Sequence, residues 1–185
     1  HEVASIENYE DAVIYEGHIR DFSINDESTS EANRGKFLAF TELDSAPMQH
    51  LKTLADNGLT HFHMLPANDI ATINEVAADI IDLDSTVLDL CKKNYEAEPC
   101  YKGIDDQTLR SVLENYDSST DDAAKLMDII QDYDSFNWGY DPKHFNVPDG
   151  IYASNPDGVT RIKEMRAMIK GLHDTGLRVV LDVVY

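Results

Sequence analysis

Two helix-to-strand junctions in this chain share one pattern. Leu54-Ala55-Asp56-Asn57-Gly58-Leu59 parallels Leu172-His173-Asp174-Thr175-Gly176-Leu177, so L-x-D-x-G-L occurs twice. Before each junction runs an amphipathic segment. Residues 45–56 place Met48, Leu51, Leu54 and Ala55 on one face, and residues 159–173 do the same with Val159, Ile162, Met165, Ile169 and Leu172. Gly58 and Gly176 stand where a helix C-terminal glycine belongs. After each glycine the chain reads as a strand. Leu59 to Leu65 ends at Pro66, and Leu177 to Tyr185 is apolar apart from Arg178 and Asp182. A near-continuous apolar strand belongs to a parallel sheet covered by helices. With a further short strand at 12–19, the repeated grammar predicts a βα architecture, either a (β/α)₈ barrel or a doubly wound sheet.

The 185 residues suffice for a globular domain with a sizeable core, and 42% of them are hydrophobic. No apolar run approaches the roughly 18 residues of a membrane helix. The chain opens on His1 with no initiator Met and no signal peptide, which implies processing or a piece of a longer polypeptide. Its net charge of −20 argues against a nucleic-acid partner, whose phosphates need basic residues. Such a balance keeps a protein soluble and is compatible with a neutral polysaccharide.

Between the second and third strands lies a long excursion, residues 67–158. A plain βα connection takes only a few residues. Helices are expected here at about 76–90, 105–116 and 121–132. From Glu75 to Asp134 there are 16 acidic residues against 5 basic ones. The excursion reads as an inserted helical subdomain on the C-terminal rim of the strands, where barrel enzymes build their sites. A solubilising surface insertion would carry the same charge. Cys91 and Cys100 fall inside it. They are either two free thiols or a small disulfide ring, and the acidic, loop-rich setting favours the disulfide and export. A metal centre is disfavoured, because no nearby His completes a tetrahedral set. Residues 135–158 differ in character. Phe136, Trp138, Tyr140, Phe145 and Tyr152 alternate with Gly, Pro and Asn. A locked loop of this kind offers flat apolar faces with polar tips, suited to stacking on sugar rings or to anchoring the loop on a core.

Several ordered segments resemble one family. Ile14-Tyr15-Glu16-Gly17-His18-Ile19-Arg20-Asp21-Phe22-Ser23 is similar to the first barrel strand of the type I pullulanases and limit dextrinases, the starch-debranching branch of the α-amylase superfamily. Arg34 to Phe40 resembles the segment that follows, and Gly58 to Pro66 the second strand. Asn137-Trp138-Gly139-Tyr140-Asp141-Pro142 resembles the family's N-W-G-Y-D-P signature, and Tyr152 to Gly158 its next loop. Leu181-Asp182-Val183-Val184-Tyr185 resembles the opening of D-V-V-Y-N-H, the first conserved region. Two positions depart. Phe136 stands where the family usually has Tyr, and Ala67-Asn68 where it favours an apolar pair.

The resemblance implies the N-terminal part of a (β/α)₈ (TIM) barrel: a linker at 1–11, barrel strands one and two with the first helix at 12–66, the inserted subdomain and aromatic substrate loop at 67–158, and barrel helix two with strand three at 159–185. It implies a retaining hydrolase acting on α-1,6-glucosidic bonds of pullulan, amylopectin or limit dextrins. Retention uses two carboxyl groups about 5–5.5 Å apart. The motifs that carry the nucleophile and the acid/base are not among these residues, so no catalytic residue is assigned. The roles that carry over are supporting. Tyr140 resembles the aromatic platform under the sugar ring. Asp182 resembles the Asp that organises the site. Trp138, Asp141 and Asn137 resemble the residues shaping the loop around the platform. Arg20 and Asp21 are read as braces, and His18, His61 and His63 as core or supporting residues at strand ends. The Cys pair resembles that of secreted bacterial pullulanases, which implies a secreted, periplasmic or cell-surface protein. No cofactor is needed for the chemistry. Calcium is common in the superfamily, with no site assignable here. Three strands leave open edges that seek the rest of the barrel, so these residues by themselves are expected to be inactive. The rival expectation is a non-catalytic α-glucan-binding module derived from the same fold.

Overall fold

The computed structural model describes residues 3 and 5–185. The part of the N-terminal linker at positions 1, 2 and 4 lies outside the described residues. The chain divides into two compact units, His1–Ala71 with Trp138–Tyr185, and Thr72–Asn137.

The first unit is built on three parallel strands in the spatial order β1-β2-β5: β1 (Ile14–Gly17), β2 (His61–Met64) and β5 (Arg178–Leu181). The register pairs Ile14 with His61 and Glu16 with His63, and then His61 with Arg178 and His63 with Val180. Helix α1 (Ala46–Asp56) joins β1 to β2, and α5 (Thr160–Asp174) precedes β5. Both helices end at the expected turns, where Gly58 and Gly176 take positive φ angles of 105° and 93°.

Side chains on a strand alternate between faces, so β2 divides cleanly. Phe62 and Met64 are wholly buried, whereas His61 and His63 are half-buried on the opposite face. Phe62 meets Phe40 edge-on at 5.6 Å, and Phe40 stacks on Phe22 at 4.0 Å. Aromatic pairs in these geometries add to the gain from burial alone. Phe37–Thr41 is a 3₁₀ helix with Phe37, Ala39 and Phe40 buried.

Helix α5 corrects one expectation. Its buried face carries Glu164, Met168, Gly171 and Leu172, while Val159 and Ile162 are exposed. A glycine and a glutamate set this rotation. At Gly171 a Cβ would collide with the backbone oxygen of Phe40, so only glycine allows that approach. The Glu164 carboxylate accepts hydrogen bonds from the Ser154 backbone N–H at 2.8 Å and from the Ser154 hydroxyl, which satisfies a charge held inside the fold.

A second small sheet pairs β3 (Asn68–Ile70) antiparallel with β4 (Pro142–Pro148). Residues 142–148 are therefore a strand inside the segment read as loop. Asp149, fully buried, secures the pair. Its carboxylate accepts the backbone N–H groups of Ile70 and Ile151, both at 2.7 Å. The third strand is also shorter than the apolar run: 182–185 continue without strand pairing, although the Asp182 N–H still donates to the Met64 carbonyl at 3.0 Å.

The second unit is helical, with α2 (Val87–Lys93), α3 (Leu109–Glu114) and α4 (Asp122–Ile130). The helix expected over 76–90 does not form as one piece. A 3₁₀ turn at Ala77–Asp79 is followed by non-helical chain, and α2 starts only at Val87. Thr86 is the reason. Its hydroxyl caps the new helix by accepting the Asp89 N–H at 3.2 Å, and Asp89 reaches back to the Thr86 N–H at 3.3 Å. This reciprocal box marks a helix start rather than an interior. Ile81, Val87, Leu90, Leu109, Val112, Leu126 and Ile130 form the unit's core. Cys91 and Cys100 are joined in a disulfide against it, with Cα atoms 5.8 Å apart.

Candidate functional site

The site lies at the carboxyl ends of the three parallel strands. Register and parity put Glu16, His63 and Asp182 on one face there. Each presents one polar atom, and the three atoms lie within 4.8 Å of one another. His63 Nε2 stands 3.9 Å from Asp182 Oδ2.

Tyr140 completes the group. Its phenol donates to the same Asp182 Oδ2 at 2.6 Å. That bond, followed by burial and then the charges of Asp182 and Glu16, pushes the phenol's pKa up to about 12. The residue is 48% exposed beside its anchored hydroxyl. Below this group, on the same face, burial and then the Arg178 charge hold His61 below its ordinary pKa.

The loop that carries Tyr140 is fixed by its glycine. Gly139 is buried with φ at 87°, and a Cβ there would press on Pro66, 2.9 Å from its side chain. Trp138, 56% exposed, meets His18 edge-on at 6.2 Å. His18 is buried, accepts the Asp21 N–H at 3.4 Å and lies 3.3 Å from the Tyr152 hydroxyl. Burial drives the Tyr152 phenol's pKa well above its ordinary value. Arg20 and Asp21 form an ion pair at 3.1 Å. The Asp141 carbonyl accepts the Ala71 N–H at 2.9 Å, anchoring the far side of the loop.

Trp138, Tyr140, Asp141 and Asp182 thus belong to one unit, and Tyr140 and Asp182 are in direct contact. Asn137 is the last residue of the helical unit, where its amide donates to Thr72 at 2.8 Å. Glu16 was not singled out in the sequence. The signal was present, since it is the one charged residue in β1 and shares the strand parity of His63. The trio does not suit calcium. That ion takes roughly six to eight oxygen ligands, whereas this set includes an imidazole and a carboxylate oxygen already bonded to Tyr140.

Fold and site together define an α/β protein with a polar, aromatic-flanked site at the carboxyl ends of parallel strands. No protein-family model matches the chain. Individual proteins do. It is 40% identical to a pullulanase of Klebsiella pneumoniae over 180 residues, covering 93% of this chain and 16% of that protein. It is 41% identical to the chloroplastic pullulanase 1 of Arabidopsis thaliana, over 97% of this chain and 16% of that protein. The crystal structure of PulA from Klebsiella oxytoca superposes with a TM-score of 0.80 at 39% identity, covering 95% of this chain and 17% of PulA. The chain belongs to the pullulanase family and spans about one sixth of the length of these relatives.

Proposed function

We propose that this chain is part of a starch-debranching glycoside hydrolase that cleaves α-1,6-glucosidic bonds in pullulan, amylopectin or limit dextrins. The observation that carries the reading is the Tyr140–Asp182 pair at the strand ends, in a chain whose relatives are pullulanases. An aromatic ring held by its hydroxyl keeps one face free to stack on a glucose ring and to favour positive charge developing there.

The three parallel strands are, on this reading, the first three of a (β/α)₈ barrel, and unit Thr72–Asn137 with its flanks is the insertion after strand two. The nucleophile and acid/base then come from later strands of a longer polypeptide, and the mechanism is retaining. Asp182 organises the site without attacking the sugar. Trp138, Asn137 and Asp141 shape the substrate loop. Export to the cell surface, periplasm or medium is supported by the Cys91–Cys100 disulfide, which persists in oxidising compartments.

Product analysis of a pullulan digest by the longer polypeptide tests the proposal. Maltotriose as the dominant product is expected. Binding of pullulan without release of reducing ends would support the glucan-binding module instead, and neither binding nor cleavage would overturn both.

A further inference from the structure

We propose that His63 is a positioning residue of this site, set between the Glu16 and Asp182 carboxylates so that Asp182 keeps the orientation that accepts the Tyr140 hydroxyl. Its catalytic readout rests on the debranching function proposed above.

Three observations converge on this role. Glu16 and His63 are direct register partners on adjacent strands, so the sheet fixes their Cα positions relative to each other. Asp182 is tied to the same strand through its backbone, since its N–H donates to Met64, the neighbour of His63. Finally, the oxygen that His63 faces at 3.9 Å is the one that receives the Tyr140 hydroxyl at 2.6 Å. Close to the imidazole lie Glu16 from β1 and Asp182 beyond β5, with apolar Val180 beside it in register.

Two carboxylates this close repel each other. The imidazole edge is the electropositive group among them. Its removal leaves Glu16 and Asp182 unscreened. Asp182 sits past the last paired residue of β5, with its backbone N–H donating to Met64. It turns away, and Tyr140 loses its acceptor.

The test uses the full-length protein with His63→Ala, Glu16→Gln and the double variant. Two readouts are taken: kcat and KM on pullulan, and the ¹⁹F signal of 3-fluorotyrosine incorporated in place of Tyr140. His63→Ala is expected to lower kcat roughly tenfold or more, with a smaller change in KM, and to shift the ¹⁹F signal. Adding Glu16→Gln is expected to restore most of both, because removing the second charge removes the repulsion. A packing role for His63 would give a loss that Glu16→Gln does not relieve, and that result overturns the proposal. So does a ¹⁹F signal indifferent to His63→Ala. If His63→Ala fails to fold, His63→Gln, which keeps a donor and similar bulk, is expected to stay close to the parent in both readouts; a loss as large as that of Tyr140→Phe contradicts the proposal. If the parent does not cleave pullulan yet the ¹⁹F signal shifts and is restored as described, the debranching function fails and the positioning role stands.

Discussion

The Tyr140 hydroxyl donates to Asp182 Oδ2 at 2.6 Å, joining an aromatic loop to a strand end 42 residues further along the chain. Tyr140 alone is a half-exposed ring with several rotamers open to it. Bonded to Asp182, its hydroxyl is held at one point.

The bond has a measurable acid–base consequence. Asp182 raises the Tyr140 phenol to about 12, from an ordinary value near 10. A raised folded-state value means that the bond's stabilisation is fully present below about pH 10 and is lost as pH climbs through about 12. Asp182→Asn removes the charge, so the phenol should ionise closer to its ordinary value, with burial and the Glu16 charge still acting on it. NMR of ring-labelled tyrosine at pH 10.5 should find Tyr140 more ionised in the variant than in the parent. Equal ionisation would show that the bond does not form in solution.

Gly139→Ala should displace the Tyr140 loop. The residue sits at φ 87° with Pro66 against it, so alanine meets both a left-handed backbone and a clash. The conformational cost alone is about 1–2 kcal/mol, and the clash adds to it. Thermal unfolding should report that loss, and maltotriose binding should weaken with it. Unchanged stability would mean that the loop takes another path.

Thr86→Ala should destabilise the helical unit by about 1 kcal/mol, the usual cost of losing an N-cap hydroxyl. The same substitution should change an acid titration. Hydrogen bonds from Thr86, first, and then Lys92 hold Asp89 down to about 2. A depressed carboxylate stabilises the fold above its ordinary value near 4, and that stabilisation disappears as pH falls through about 2. Thr86→Ala should move the Asp89 midpoint upward in an NMR titration; an unmoved midpoint would contradict the capping box.

Much of the scaffold was legible in the sequence for physical reasons that operate locally. The runs Leu59–Leu65 and Leu177–Tyr185 contain β2 and β5, each marked by the glycine before it and by apolar residues within it, Phe62 and Met64 in one and Val179 and Val180 in the other. Gly58 and Gly176 announced the helix ends because only glycine takes those backbone angles cheaply. Other features depend on partners distant in the chain. The rotation of α5 is set by Gly171 against Phe40 and Glu164 against Ser154, neither of which a hydrophobic pattern reveals. Strand β4 carries a polar face and two prolines, and pairs with β3 through a bulged register. The break in 76–90 lay in plain view at Thr86, three residues before Asp89, but the apolar residues around it suggested one longer helix. Tyr140 and Asp182 were each identifiable from motifs. Their contact, and the approach of Glu16 and His63, required the strand register.

The most direct measurement is kcat/KM on pullulan for Tyr140→Ala beside the parent, in the longer polypeptide, with thermal unfolding recorded on the same samples. A platform held by Asp182 predicts a loss of roughly a hundredfold or more with little change in melting temperature. Unaltered kcat/KM would contradict the assignment of Tyr140 and Asp182 as the floor of a glucan site.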